Sequence, residues 1–205
     1  MAADDAERAI TALRAGEPVL LPTDTVYGLC ASADVEAAVE RMYLLKGRRA
    51  GQPTALLAAS WEALVERVPE LRGRSATIAR ALLPGPYTLV LPNPARRFPW
   101  LTGRRPETIG VRIPELPDAA AARRVVVAVG CLAATSANAA GGRDPAALNE
   151  VPQEIRAACV AVDAGRLPGT PSTVLDFTGD GPVVLREGAA PAEDALARAR
   201  AALAG

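Results

Sequence analysis

The sequence predicts an α/β fold, a single domain in which a mixed parallel and antiparallel sheet is flanked by helices. Three observations carry that prediction. Short apolar runs alternate with longer stretches whose apolar residues recur every third or fourth position, the two periods of strand and helix. The runs are unevenly spaced, and connections such as LLPGPYT and RFPWLTGRRPET are rich in proline and glycine, which suits a mixed sheet better than a regular doubly wound one. The chain has 205 residues, 50% of them hydrophobic, enough for one sizeable core without a clear linker.

Each element follows from local chemistry. Residues 4–15 read as a helix, with Asp4, Asp5 and Glu7 near its positive end and Gly16 after its last turn. Val19 to Pro22 is a short apolar strand, and Thr23 to Leu29, TDTVYGL, sets turn formers around hydroxyls. Asp34 is placed to cap a second helix in which Val35, Val39, Met42 and Leu45 share a face; Lys46 ends it and Gly47 stops it. Further strands are predicted at Thr54–Ala59, Tyr87–Leu91, Thr108–Ile113, Val125–Val129, Val160–Asp163, Thr173–Phe177 and Val183–Arg186. Helices fall near 60–68, 75–83, 117–124, 152–158 and 191–204, and Asn93 to Pro106 reads as an exposed, arginine-bearing loop.

Composition narrows the chemistry. There is no histidine, which excludes a Ser-His-Asp triad, a Cys-His dyad, an HExxH zinc site and any imidazole base. Cys30, Cys131 and Cys159 are odd in number and far apart, so they read as core thiols rather than a disulfide framework or thiolate metal site. The 23 basic residues balance 23 acidic ones, which argues against a uniformly basic nucleic-acid-coating surface while leaving room for a local basic patch. No run nears the roughly 20 apolar residues of a membrane span, and the N-terminus is acidic where a secretory signal is basic, so a cytoplasmic protein with no membrane partner is expected.

Of the basic residues 22 are arginine; Lys46 alone is lysine. A compact ammonium kept at one position suggests a point contact that a planar guanidinium cannot make, although a single lysine must fall somewhere. Three segments offer ligand donors in the absence of GxxxxGK[ST] and GxGxxG phosphate loops. Lys46-Gly47-Arg48-Arg49 gathers cations at a helix end, where they either meet an anion or complement the helix dipole. Thr135-Ser136-Ala137-Asn138 follows the apolar run Val125–Ala133, read as buried sheet, and is either a ligand-binding strand end or a polar turn. Arg112 stands inside the apolar run TIGVRIP and needs either an internal carboxylate or a ligand anion.

Together TDTVYGL, KGR, LLPGPYT, TIGVRIP, TSAN and PSTVLDF followed by VLREG resemble, in order and spacing, the YrdC family of threonylcarbamoyl-AMP synthases, from about Gly16 to Gly188. The KxR and SxN pair is the most specific element, and the lone lysine lies in it. The resemblance implies one domain, residues 1–205, around a twisted mixed sheet with a basic concave face, matching the short form of the family. It implies a nucleotidyltransferase that joins L-threonine, bicarbonate and ATP, with Mg²⁺ accompanying the nucleotide and no dedicated metal ligands in the protein. Lys46 and Arg48 take the catalytic role; with Thr108, Ser136, Asn138 and Arg186 they surround ATP. Thr25, Gln52, Arg112 and Ser172 hold threonine, Arg112 through the α-carboxylate. The product passes to a downstream threonylcarbamoyl transferase complex that modifies tRNA, with at most a weak tRNA contact here. Departures from the pattern are Arg49 for proline, Gln52 for asparagine, histidine or lysine, Pro171 for glutamate, Glu187 for proline, and Asp144 near a position usually occupied by a small hydroxyl. Two other readings remain at this point: an RNA-binding module without chemistry, and a carbamoyltransferase-type paralogue with another acceptor.

Overall fold

The structure, a computed structural model, describes residues 2–48 and 51–205. Its elements begin with α1 (Ala2–Arg14), β1 (Val19–Pro22), β2 (Tyr27–Ser32) and α2 (Glu36–Lys46). β3 (Ala55–Ala58) is followed by α3 (Trp61–Arg67), α4 (Gly73–Leu82) and β4 (Tyr87–Pro92). The short α5 (Pro99–Thr102) leads to β5 (Thr108–Arg112), α6 (Ala121–Val129) and β6 (Cys131–Ser136). Then come α7 (Gln153–Ala158), β7 (Val160–Ala161), β8 (Thr173–Asp176), β9 (Val183–Arg186) and α8 (Ala192–Ala204).

The strands form one mixed sheet in the order β7-β1-β2-β6-β3-β5-β4-β8-β9. β1 and β2 pair antiparallel because only the Thr23–Val26 turn joins them. The parallel pairs β1–β7, β3–β5 and β4–β8 each lie far apart in sequence, as a parallel crossover requires. Alternation along the strands sorts side chains to two faces. On one face Leu20, Leu29, Leu56, Leu89 and Val111 meet Met42 of α2, Ile78 of α4 and Ala195 of α8. On the other Leu21, Cys30, Leu57 and Leu132 pack beneath α1 and α6, through Ala9, Leu13, Val125 and Val126. That second layer covers only part of its face, and the remainder is the floor of the site described below.

Four sequence expectations change. Val125–Val129 is helix, not strand: Ala122, Val125 and Val126 are buried against α1 at helical spacing, while Val127 is 58% exposed, the reverse of strand alternation. The buried run preceding the TSAN segment is therefore only β6, whose Leu132 and Ala133 are fully enclosed. Asp34 does not cap α2, which starts after Val35 without a side-chain cap; its carboxylate pairs with Arg67 at 2.6 Å. Val35 is exposed, and Ala38 and Lys46 join Val39 and Met42 on the inner face. The Asn93–Pro106 segment is not a simple exposed loop, because Asn93 is fully buried and its Nδ2 donates to the carbonyls of Arg97 and Pro106 around α5.

Candidate functional site

A cavity of about 410 Å³ opens on the uncovered half of the sheet. Gly28, Ala55, Gly110 and Ala134 keep its floor low, since a larger side chain on any of them would stand in the space. Arg48, Arg104, Arg105, Arg112 and Arg186 line it, and among the described residues no aspartate or glutamate does. A chain of zero net charge thus concentrates cations on one concave surface, which raises the local potential for an anionic ligand. Among the described residues Arg48, Arg104 and Arg186 take part in no ion pair, whereas Arg105 pairs with Asp176 at 3.0 Å and Arg112 with Asp24.

Gly47, at φ 63°, ends α2 in a left-handed turn that turns the chain after Lys46 toward the exit of β6. The Lys46 Nζ donates to the carbonyl oxygens of Ser136 (2.5 Å) and Asn138 (3.1 Å) and to Asn138 Oδ1. Ser136 Oγ also donates to Asn138 Oδ1 at 2.7 Å, and Asn138 Nδ2 donates to Asp144 at 3.2 Å. Three of the four residues of the KxR and SxN pair, Lys46, Ser136 and Asn138, therefore meet across 90 residues of sequence. Burial and the neighbouring Arg48 bring the Lys46 pKa down from 10.5 to about 8, with Asp144 opposing them. Lys46 does not itself face the cavity; Ser136, which it holds, does.

Arg48 stacks over the Tyr43 ring, 5.6 Å from its centroid, and donates to Thr135 Oγ1 at 3.1 Å and to the Pro53 carbonyl. Burial lowers its pKa, and Tyr43 works against that shift. Thr108, at the start of β5, lines the wall and donates its hydroxyl to the Arg105 carbonyl at 3.0 Å. Arg112 donates through one nitrogen, Nη2, to Asp24 and to Thr25 Oγ1 (2.8 Å). Thr25 in turn bonds Thr23 at 3.0 Å, hydroxyl to hydroxyl. Immediately before β8, Ser172 Oγ shares a 2.8 Å bond with Thr88 and accepts from Arg186 Nη2 at 3.2 Å. Burial lowers the Arg186 pKa, with Arg112 adding to it and Asp144 opposing.

The three buried side-chain polar atoms without a hydrogen-bond partner among the described residues are Arg48 Nε, Thr54 Oγ1 and Arg112 Nε. All three belong to residues lining this cavity. Orphaned buried donors are uncommon in folded proteins, and their gathering in one wall marks a surface shaped for a partner.

Of the sequence-predicted residues, Arg48, Thr108, Arg112, Ser136, Ser172 and Arg186 line the cavity. Lys46, Asn138 and Thr25 stand behind that wall and touch it through Ser136 and Arg112. Gln52 is exposed and outside the wall, while Arg49 lies outside the described residues. Sequence reasoning missed Asp24, Thr54, Thr88, Arg104 and Arg105 as site residues. Asp24 had a signal, because it sits inside TDTVYGL and Arg112 required a partner. Arg104 and Arg105 were visible only as loop cations.

The sequence model of the Sua5/YciO/YrdC family, described as telomere recombination, matches residues 11–188. The threonylcarbamoyl-AMP synthase of Pyrococcus abyssi is 36% identical over 185 residues, covering 89% of this chain and 53% of that protein. The chain thus spans about half the length of that relative. The threonylcarbamoyl-AMP synthase of Halorhodospira halophila is 34% identical over 157 residues, 77% of this chain and 81% of its own length. The crystal structure of P. abyssi Sua5 complexed with L-threonine superposes with a TM-score of 0.78 at 33% identity, over 92% of this chain and 55% of that one.

Proposed function

We propose that this chain, which belongs to the Sua5/YciO/YrdC family, joins L-threonine, bicarbonate and ATP into threonylcarbamoyl-AMP and releases pyrophosphate. The observation that carries the reading is the arginine-lined cavity in which, among the described residues, Arg48, Arg104 and Arg186 have no carboxylate partner, while Arg112, paired with Asp24, lies beside a set of hydroxyls. Relatives of similar sequence bear the name of that activity, and P. abyssi Sua5 binds L-threonine.

Threonine's neutral amine attacks the carbon of bicarbonate, a C–O bond breaks and water leaves, giving N-carboxythreonine, whose carboxylate attacks the α-phosphorus of ATP while pyrophosphate leaves. The nucleophile is already an anion, so no histidine base is needed. What the protein supplies is alignment of two anions and cations where charge gathers. Arg48, Arg104 and Arg186, free of carboxylates, suit the polyphosphate. Thr108 and Ser136 supply hydroxyl groups to the nucleotide, and Lys46 holds Ser136 and, behind the wall, Asn138 in place while lending positive charge. Thr25, Arg112 and Ser172 suit threonine; the exposed Gln52 is the weakest of the assigned threonine contacts.

The cavity wall offers guanidinium and hydroxyl donors and no carboxylate, and among the described residues no three His, Cys, Asp or Glu side chains cluster to hold a metal. Mg²⁺ in this reading enters with ATP as its counter-ion, held by phosphate oxygens and waters. No described helix is long and apolar enough to cross a membrane. A cytoplasmic setting fits the use of ATP and a product destined for a transferase complex acting on tRNA, with tRNA contact here at most weak.

The test is direct. Purified protein supplied with ATP, Mg²⁺, bicarbonate and threonine releases pyrophosphate only when threonine is present. Release that ignores threonine overturns the reading.

A further inference from the structure

The cavity divides its charge unevenly. Arg48, Arg104 and Arg186 carry no carboxylate partner, which suits a multiply charged phosphate chain. Arg105 and Arg112 are paired, and the two pairs differ: Arg105 is 53% exposed beside Asp176, whereas Asp24 neutralises Arg112 in a contact where both side chains are only 10% exposed. A neutral Arg–Asp pair is a poor trap for a simple carboxylate, because the incoming anion meets a cation already paired with another anion. It is complementary to a zwitterion, whose carboxylate faces the guanidinium and whose ammonium faces the aspartate.

The geometry of Asp24 favours this role over that of a displaceable place-holder. One carboxylate oxygen takes the Arg112 Nη2 donor, and the other accepts the Glu115 backbone N–H at 3.1 Å, which pins the side chain. An ionised carboxylate offers about four acceptor positions, and these two bonds leave capacity for a further donor. Its sequence neighbour Thr23 and its partner Arg112 both line the cavity. Arg112 Nε remains buried without a partner, so the guanidinium too has capacity left.

We propose that Asp24 is a specificity-determining residue: it accepts the α-ammonium of the amino acid whose carboxylate Arg112 takes, and thereby selects α-amino acids over carboxylic acids lacking the amine. This rests on the reading of the cavity as an amino-acid site.

The probes are L-threonine and its α-hydroxy counterpart, 2,3-dihydroxybutanoate, measured by calorimetric titration of the full chain. Wild-type protein is expected to bind threonine more tightly by about tenfold or more, the scale of one charge-assisted hydrogen bond. Asp24→Asn keeps the shape of the side chain and its acceptor for the Glu115 N–H. In that variant threonine binding weakens while the hydroxy acid binds as well as before or better, and the preference collapses. A parallel loss for both ligands, the signature of a merely structural role through Arg112, overturns the proposal. So does wild-type protein that binds the two acids equally, a result independent of whether the variant folds. Wild-type protein that binds neither acid overturns the amino-acid reading itself, and the proposal with it.

Discussion

Lys46 Nζ lies 2.5 Å from the carbonyl oxygen of Ser136 and so ties the last turn of α2 to the end of β6. The ammonium reaches four converging acceptors, the carbonyls of Ser136 and Asn138, Asn138 Oδ1 and, at 3.4 Å, Ser136 Oγ, none of them a carboxylate. It is a buried positive charge held by dipoles alone, 7% exposed, in a chain that otherwise uses arginine for every basic position. A guanidinium is too wide and too planar to direct three protons at one such point.

Lys46→Arg keeps the charge and is expected to lose about a hundredfold in threonine-dependent pyrophosphate release, the cost of removing one well-placed electrostatic contact. Turnover close to wild type would show that the convergence at Ser136 and Asn138 does not matter.

The pH dependence has a defined sign. Burial and Arg48 lower the Lys46 pKa from 10.5 to about 8 in the folded protein. The unfolded chain therefore binds more protons between those values, and the penalty of burying the ammonium, full below about 8, is relieved as pH rises toward 10.5. Activity runs the opposite way, since the ammonium is the useful form: kcat/KM for ATP, which reports the free enzyme, falls with a midpoint near pH 8. Denaturant titrations of wild type against Lys46→Met, run from about pH 7 to about 10, read the stability arm. A kcat/KM profile flat through that range contradicts the assignment.

Gly188 is required by a backbone crossing rather than by its torsion angles. A β-carbon there would lie 2.2 Å from the Pro171 carbonyl oxygen and 2.5 Å from the Ser172 carbonyl carbon. Gly188→Ala is expected to cost at least about 2 kcal/mol in urea denaturation. It also raises the KM for threonine, because the Pro171–Ser172 segment leading into β8 has to move. An alanine variant of unchanged stability would mean that the crossing yields easily.

Thr54 supplies a prediction of opposite sign. Its hydroxyl is buried in the cavity wall without a partner, so an isosteric Thr54→Val leaves the ligand-free protein as stable as wild type or more stable by up to about 1 kcal/mol. Thermal unfolding of the two proteins decides it. A clear loss of stability in the valine protein would reveal that the hydroxyl is already satisfied.

Much of the architecture was legible in the residues. β1 and β9 fall on the predicted runs to the residue, and α2 ends where Lys46 and Gly47 placed its stop, because strand runs and a glycine stop are local features. Val125–Val129 misled for a physical reason: a short apolar β-branched run satisfies a buried strand and a helix face equally, and only the position of α1 above it selects Val125 and Val126 for burial and leaves Val127 outside. The capping assignment of Asp34 failed in the same way, since Arg67, 33 residues on, competes for that carboxylate.

The site divides along the same line. Sequence alone determined the reagents available, a histidine-free set of arginines, one lysine and hydroxyls, and the KGR and SAN motifs named Lys46, Ser136 and Asn138, which meet in space, and Arg48, which reaches the adjacent Thr135. Which arginines are neutralised was decided by the tertiary structure. Asp24 and Arg112 are 88 residues apart and meet only because the β1–β2 turn lies beside the segment leaving β5, whose Glu115 N–H holds the same carboxylate. Charge pairing depends on distance through space, and the order of residues along the chain does not carry it.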